Sequence, residues 1–466
     1  MYAAVIGVYL VIIIGIGVYF TRYNKDVEDF ALAGRNLGLP VLLGTLFATY
    51  IGGATVVGWT GSFYELGVDW WWSGLGGVLG IAAAAIFLAE RTRRLRQFTV
   101  PDLLALRYNN STRYVSAVMI IIGDVAIVTV QVLAIAGIFT AFTGMDRLPA
   151  MIIGIVAFTL ISLFGGMKGV AITDSLQAFL IFAGLIVGVV LLFWYHGGIG
   201  VLSTQTPEGF LRPFTHTDGF GAFNMAIAVF GTTAVSQSMI FGRIFSARDE
   251  KVAKKGLMLL VPLALVGYGL VALLGWGARA VLGDGVVPDD VFATLVIELM
   301  PTVVGALLLA TVVAALVTTT NSILLSASVN VTRDLYRQLI NTEASPVALR
   351  KVGQVGVIVL ALASFTLAVV MPDIVTAIVF AYTMYAAALL VPLYAGYLWR
   401  GATPAAGTVT VIIGGGTALA WYLFDEPFGL PAMVPALALS LASIVVVSAL
   451  TAKPTQDQLD VVFDRT

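Results

Sequence analysis

Ala48-Thr49-Tyr50-Ile51-Gly52-Gly53-Ala54-Thr55 lies in the middle of an apolar run over residues 38–63. Each glycine weakens a helix by about 1 kcal/mol relative to alanine, so this run predicts a helix that opens halfway along. A second stretch, Gly231-Thr232-Thr233-Ala234-Val235-Ser236-Gln237, interrupts the run over 219–241. Either stretch alone is also explained by close helix packing through small residues. Their placement argues for more. They fall in the second and seventh of thirteen apolar runs, and five spans is the spacing of a five-plus-five inverted repeat preceded by one extra helix. Irregular backbone at mid-membrane depth survives where it lines a cavity.

The surrounding chain fits this reading. Only 11% of its 466 residues are charged and 59% are hydrophobic. A soluble surface needs about a quarter charged residues, so the main solvent of this chain is lipid. The net charge is -1, without a basic surface for nucleic acid. There are no cysteines, which excludes disulfides, thiolate metal sites and thiol nucleophiles. The two histidines, His196 and His216, share one polar stretch outside the runs.

Runs long enough to cross a bilayer are read at 3–21, 38–63, 72–90, 115–142, 148–166, 170–195, 219–241, 256–281, 302–332, 348–371, 374–398, 403–424 and 430–451. Numbering the loops alternately puts 22 of the 25 Lys and Arg residues on one side, including Arg22, Lys25, Arg93, Arg107, Arg243 and Arg465. The other side holds Arg147, Arg212 and Arg279. By the positive-inside rule the first side is cytoplasmic, the N-terminus is outside and the C-terminus inside.

Three features carry chemistry. Val317-Thr318-Thr319-Thr320-Asn321-Ser322 concentrates hydroxyls in the ninth run. Such hydroxyls often bond the helix backbone, but they are also the hard oxygen donors a small cation needs. Thr318 and Thr319, a carbonyl one turn earlier, and unwound backbone near Ala48 and Ile51 would complete a Na+ shell. Asp124 and Asp174 fall inside runs, where an acid costs roughly 2.5–3.5 kcal/mol and is a functional candidate by default. A structural acid bonded to a neighbouring helix, through Gln131, is the alternative for Asp124, and a solvated helix end or an N-terminal carboxylate favoured by the helix dipole for Asp174. Trp70-Trp71-Trp72 reads as an interfacial aromatic belt, with a substrate gate as the alternative.

Further stretches resemble the sodium:solute symporter family. These are Phe30 to Gly38, Phe98-Thr99-Val100-Pro101-Asp102 through Tyr108, Gly165-Gly166-Met167-Lys168-Gly169-Val170 with Thr173 to Gln177, Phe241-Gly242-Arg243, Ala314 to Thr319 with Thr332-Arg333-Asp334, and Gly396 to Gly407. The resemblance implies an all-α integral membrane protein of about thirteen helices with a leucine-transporter-type fold. Its parts are an extra N-terminal helix (3–21), inverted repeats over 38–195 and 219–398, two C-terminal helices (403–451) and a short cytoplasmic tail (452–466). It implies a Na+ site at Ala48, Ile51, Ala315, Thr318 and Thr319. Asp174, with Asn321 and Ser322 at the positions one turn beyond, answers to a second Na+ site or an exit path. For substrate it points to Thr55 and Gln237, with Tyr50, Gly52 and Asp124 beside them.

The expected function is Na+-coupled uptake of a small organic solute across the plasma membrane by alternating access. H+ coupling is the first alternative, and a passive channel or a transporter-like sensor the more distant ones. The expected partners are a small-molecule substrate and membrane lipid, with no nucleic acid and no obligatory protein. No nucleophile–base pair suggests an enzyme.

Overall fold

The computed structural model describes residues 2–21, 27–163 and 167–464. Arg22, Lys25, Gly165, Gly166 and Arg465, used above, lie outside these. The described residues are helical, without a sheet. In chain order the principal helices are α1 (Tyr2–Thr21), α2 (Leu39–Tyr50), α3 (Gly53–Leu66), α4 (Trp71–Ala83), α5 (Val100–Arg107), α6 (Asn110–Thr143), α7 (Arg147–Ser162), α8 (Met167–Tyr195), α9 (Gly219–Val235), α10 (Gln237–Ser246), α11 (Glu250–Leu282), α12 (Val291–Leu299), α13 (Thr302–Val329), α14 (Pro346–Val370), α15 (Ile374–Tyr385), α16 (Pro404–Leu423) and α17 (Met433–Leu450).

Among the described residues nine helical segments are long and apolar enough to cross a membrane, or ten if the bent pair α9–α10 counts as one span. One of the nine, Gly53–Arg94, has 42 residues. Straight, it would be about twice the thickness of the apolar layer. Gly67 breaks it: its φ of 59° is a left-handed conformation that glycine adopts without strain. This segment therefore contains two of the runs read from sequence.

Both expected breaks are present. The helical ladder of α2 ends with the bond from the Ile51 amide to the Phe47 carbonyl, and the ladder of α3 begins with Val56 to Gly52. Between them Ile51 and Gly52 leave helical geometry. Gly53 is required for packing as well, since a Cβ there would meet Leu316 Cγ at 2.5 Å and the Val312 carbonyl at 2.7 Å on α13. The other break falls at Ser236, whose ψ is 122°, and the chain bends by 47°. The Ser236 hydroxyl accepts the Met239 amide and so caps α10.

At one end of the bundle the two broken helices are linked. The Leu37 amide, just before α2, donates to the Ser246 carbonyl at the end of α10, and the Arg248 amide donates to the Leu37 carbonyl. Arg243, Arg107 and Arg93 belong to the loop charges in the sequence reading, yet all three are buried. The last residues are also better packed than a trailing polar tail, since Gln458 donates to the Tyr108 carbonyl and Val462 is buried.

Candidate functional site

Helix α13 is buried along most of its length and passes the break between α2 and α3. A Cβ on Gly52 would lie 2.8 Å from the Ala48 carbonyl oxygen, 3.1 Å from Thr319 Oγ1 and 3.5 Å from the Thr49 carbonyl oxygen. Three oxygens from two helices thus converge on one point that only a glycine leaves open. One residue back on α13, the Thr318 hydroxyl lies 3.4 Å from the Ala315 carbonyl and donates at 2.6 Å to Gln177 Oε1 on α8. That donation uses the hydroxyl hydrogen and leaves oxygen lone pairs for a cation. Ala48, Ile51, Ala315, Thr318 and Thr319 are all buried in this region.

Beside the convergence point is a small cavity lined by Thr49, Gly52, Ala54, Thr55, Ile127, Val130, Gln131, Met239, Thr319, Ile378 and Tyr382. It is closed down to about the size of one water molecule. Gly52 and Thr55, singled out from sequence, line it. The Thr55 hydroxyl donates to the Tyr50 carbonyl and so holds the break in shape. The other three substrate candidates are elsewhere. Tyr50 packs its ring against Tyr268 at 5.5 Å, with its hydroxyl close against Gly77. Gln237 bonds the start of α5 and the end of α13, where its side-chain carbonyl accepts the Val100 amide and its amide donates to Ser326 and Asn330. Asp124 accepts the Tyr385 hydroxyl and the Ser238 hydroxyl at 2.8 Å, bonding the broken α9–α10 helix rather than Gln131. Thr49, Gln131 and Tyr382 are the polar cavity residues that sequence reasoning did not pick out as ligands. Spacing on α6 was the available signal for Gln131, seven residues, or two turns, beyond Asp124.

One turn further along α13 is a polar cluster. Asp174 accepts the Thr45 hydroxyl at 2.7 Å and pairs with Arg243 at 3.5 Å. Ser322 accepts from the same guanidinium, while the Asn321 side-chain oxygen is buried without a partner. Below it a second cavity is lined by Leu32, Phe98, Gln237, Arg243, Ser322 and Ser326 among others.

The other end of the bundle is shut. Pro288–Asp290 presses on α3, where a Cβ on Gly61 would come within 2.1 Å of the Pro288 carbonyl. Asp289 pairs with Arg147 at 3.2 Å and accepts the Ile374 amide at the start of α15. Burial, reinforced by Asp373 and Asp290, pushes the Asp289 carboxyl up to about 6 against the opposing pull of the Ile374 amide and Arg147. Asp69 accepts the amides of Phe214, His216 and Thr217, tying down the neighbouring loop, and Trp72 stacks on Phe214. Trp70 is buried edge-on against Trp59, so only part of the Trp70-Trp71-Trp72 run is peripheral.

A helical membrane bundle with two interrupted helices around a small central cavity, closed at one end and polar toward the other, is the architecture of a secondary transporter. Residues 30–415 match the model of the sodium:solute symporter family, and the chain belongs to that family. It is 24% identical to the osmoregulated proline transporter OpuE of Bacillus subtilis over 97% of this chain and 95% of that protein. It is 27% identical to the sodium/pantothenate symporter of Escherichia coli, over 94% of each chain. Among solved structures, a Na+-coupled sialic acid symporter superposes with a TM-score of 0.82 at 19% identity, covering 98% of this chain and 99% of that one. The nucleobase-cation-symport-1 family transporter Mhp1 gives 0.61 at 12% identity, over 95% and 99%. These two likenesses establish the shared fold. The chain is a Na+-coupled solute symporter, and its relatives are transporters rather than enzymes.

Proposed function

We propose that this symporter binds Na+ among the carbonyls of Ala48, Ile51 and Ala315 and the hydroxyls of Thr318 and Thr319. It binds a small carboxylate solute in the adjoining cavity. The observation that carries the ion site is the convergence of the Ala48 carbonyl and the Thr319 hydroxyl on the point that Gly52 leaves open. For the solute, the first turn of α3 supports the reading. The amides at a helix N-terminus favour negative charge, and Gly52, Ala54 and Thr55 line the cavity there. The Gln131 side-chain oxygen is buried without a partner and suits the N–H of an amino or imino group. Proline and pantothenate, named for two of the relatives, both bear a carboxylate.

In this reading Na+ bridges α2 and α13 and orders the break between α2 and α3. The solute then binds better, and by linkage it raises Na+ affinity by the same factor. Asp174 and Ser322 lie on the cytoplasmic route by which Na+ leaves. The architecture we assign is thirteen spans: α1 as the extra helix, inverted repeats over 38–195 and 219–398, and α16 and α17 at the end. The N-terminus is outside and residues 452–466 are cytoplasmic, on the strength of the Lys and Arg distribution.

The test is a thermal-shift panel on purified protein with proline, pantothenate, other carboxylates, sugars and quaternary amines, each in Na+ and in K+. A carboxylate that stabilises in Na+ alone is the expected result. Stabilisation by a sugar or a quaternary amine, without any carboxylate, would overturn the substrate class.

A further inference from the structure

We propose that residues 455–464 form a detachable strap: docked, they hold α5 in place and keep the adjoining gate shut, and undocked they let it open. This rests on the alternating-access reading and on the end assigned above to the cytoplasm. Helical turns over Gln456–Leu459 and Asp460–Asp464 follow residues 452–455, which lie outside any helix. The near end is fixed, since the Thr451 and Thr403 hydroxyls bond at 2.6 Å. The far end closes on α5. Gln458 Nε2 donates at 3.0 Å to the carbonyl of Tyr108, the residue that ends α5. Val462 is buried, and the Phe463 ring lies 5.9 Å from the Arg107 guanidinium and 5.1 Å from that of Arg400.

Two properties make the dock reversible. Helices shorter than about 12–15 residues are marginal in water, so the strap is ordered by its docking. Gln458 also couples the two: its Oε1 accepts the Thr455 amide in a capping box while its Nε2 grips Tyr108, so undocking frays the helix. Docking bears on the gate because α5 is a staple. At one end of it Arg107 donates to the carbonyls of Gly396, Trp399 and Ala402. At the other, the Val100 amide donates to Gln237 on α10, and the Thr99 hydroxyl to Asp334 just past α13. Arg107 is 1% exposed, and its Nη1 is buried without a hydrogen-bond partner. Lifting Phe463 admits water to this guanidinium, and water then competes for the three carbonyls. The staple loosens, and with it the hold on Gln237.

The experiment is thiol labelling of Ser326→Cys, beside Gln237, in the purified chain with and without residues 452–466. Removing them is expected to speed labelling roughly tenfold, for the loss of one hydrogen bond and two cation–π contacts. A synthetic peptide of residues 452–466, added in excess, is expected to slow it again. Gln458→Ala with Phe463→Ala in the intact chain is expected to act as the deletion does, and it decides should the shortened chain fail to fold. Ser62→Cys, next to the Pro288 contact at the other end, is expected to label no faster. Unchanged Ser326→Cys labelling in both strap variants, with faster labelling in Gln237→Ala, would overturn the strap and leave the gate standing. Unchanged labelling in all three would overturn both. Faster labelling at both reporters, or labelling that the peptide does not slow, would show a fixed part of the fold and overturn the strap.

Discussion

At the scale of single residues, the account rests on oxygen atoms with nowhere else to point. Thr319→Ala removes a hydroxyl that faces the Ala48 carbonyl across Gly52. We expect it to weaken the Na+ dependence of uptake roughly 10- to 100-fold, the range for losing one interaction around a bound metal. Thr319→Ser keeps the oxygen and stays close to wild type. Gly52→Ala should be at least as damaging as Thr319→Ala, since its methyl would sit 2.8 Å from the Ala48 oxygen. Na+ titrations of uptake check all three, and a Gly52→Ala variant with unchanged Na+ affinity would refute the convergence. The hydroxyl cluster was legible because three threonines and an asparagine in succession are dense for a membrane helix. Arg243 was not. A charge count along the chain assigns it to a loop, and only tertiary structure reveals that α10 carries it inward to Asp174. Tyr50 and Gln237 show the same limit. Both flank a break, where the direction of a side chain depends on how the backbone unwinds rather than on helical periodicity.

At the scale of elements, the two ends of the pathway are fastened differently. One fastening, at the end we assign to the cytoplasm, centres on Gln237, which joins α10 to the start of α5 and to the end of α13. Gln237→Ala removes three hydrogen bonds of about 1 kcal/mol each. It should shift the population toward inward-open, seen as faster thiol labelling of a Ser326→Cys reporter in a chain that has no native cysteine. Unchanged labelling would show that Gln237 fastens nothing. The other fastening, at the end we assign to the outside, is Asp289. With its carboxyl near 6 when closed and near 3.9 when solvated, the closed lid binds a proton more tightly than the open one. Acid therefore favours closure. Between pH 7 and pH 5 the closed state gains up to about tenfold, and the gain is lost again as pH rises through 6. Solute affinity measured from outside should weaken over that interval in wild type and be flat in Asp289→Asn. An equal pH response in the two proteins would contradict the lid. Neither fastening was readable in sequence, because each joins segments far apart in the chain, whereas the helix breaks are local and glycine announced them.

At the scale of the whole molecule, the positions of the apolar runs follow from composition and length, and most observed helices start or end within a few residues of them. The larger departures have physical causes. Helix α11 begins at Glu250, capped by Asp249, six residues before its apolar core. Residues 53–94 stay helical on both sides of Gly67 and merge two spans into one segment. What the bundle does with these helices is to place a cage of uncharged oxygens beside one small cavity, with a buried ion pair one turn further along α13. The central claim is that this cage, built by α2 and α13, is where Na+ acts. Na+ at a hundred times its dissociation constant would stabilise the protein by about 2.7 kcal/mol. The decisive measurement is therefore the melting temperature of the purified chain in Na+ against equimolar K+, for wild type and for Thr318→Ala with Thr319→Ala. Stabilisation of wild type by Na+ alone, absent in the double variant, is the result predicted. Equal Na+ stabilisation of both proteins would mean that the ion binds somewhere other than between these helices.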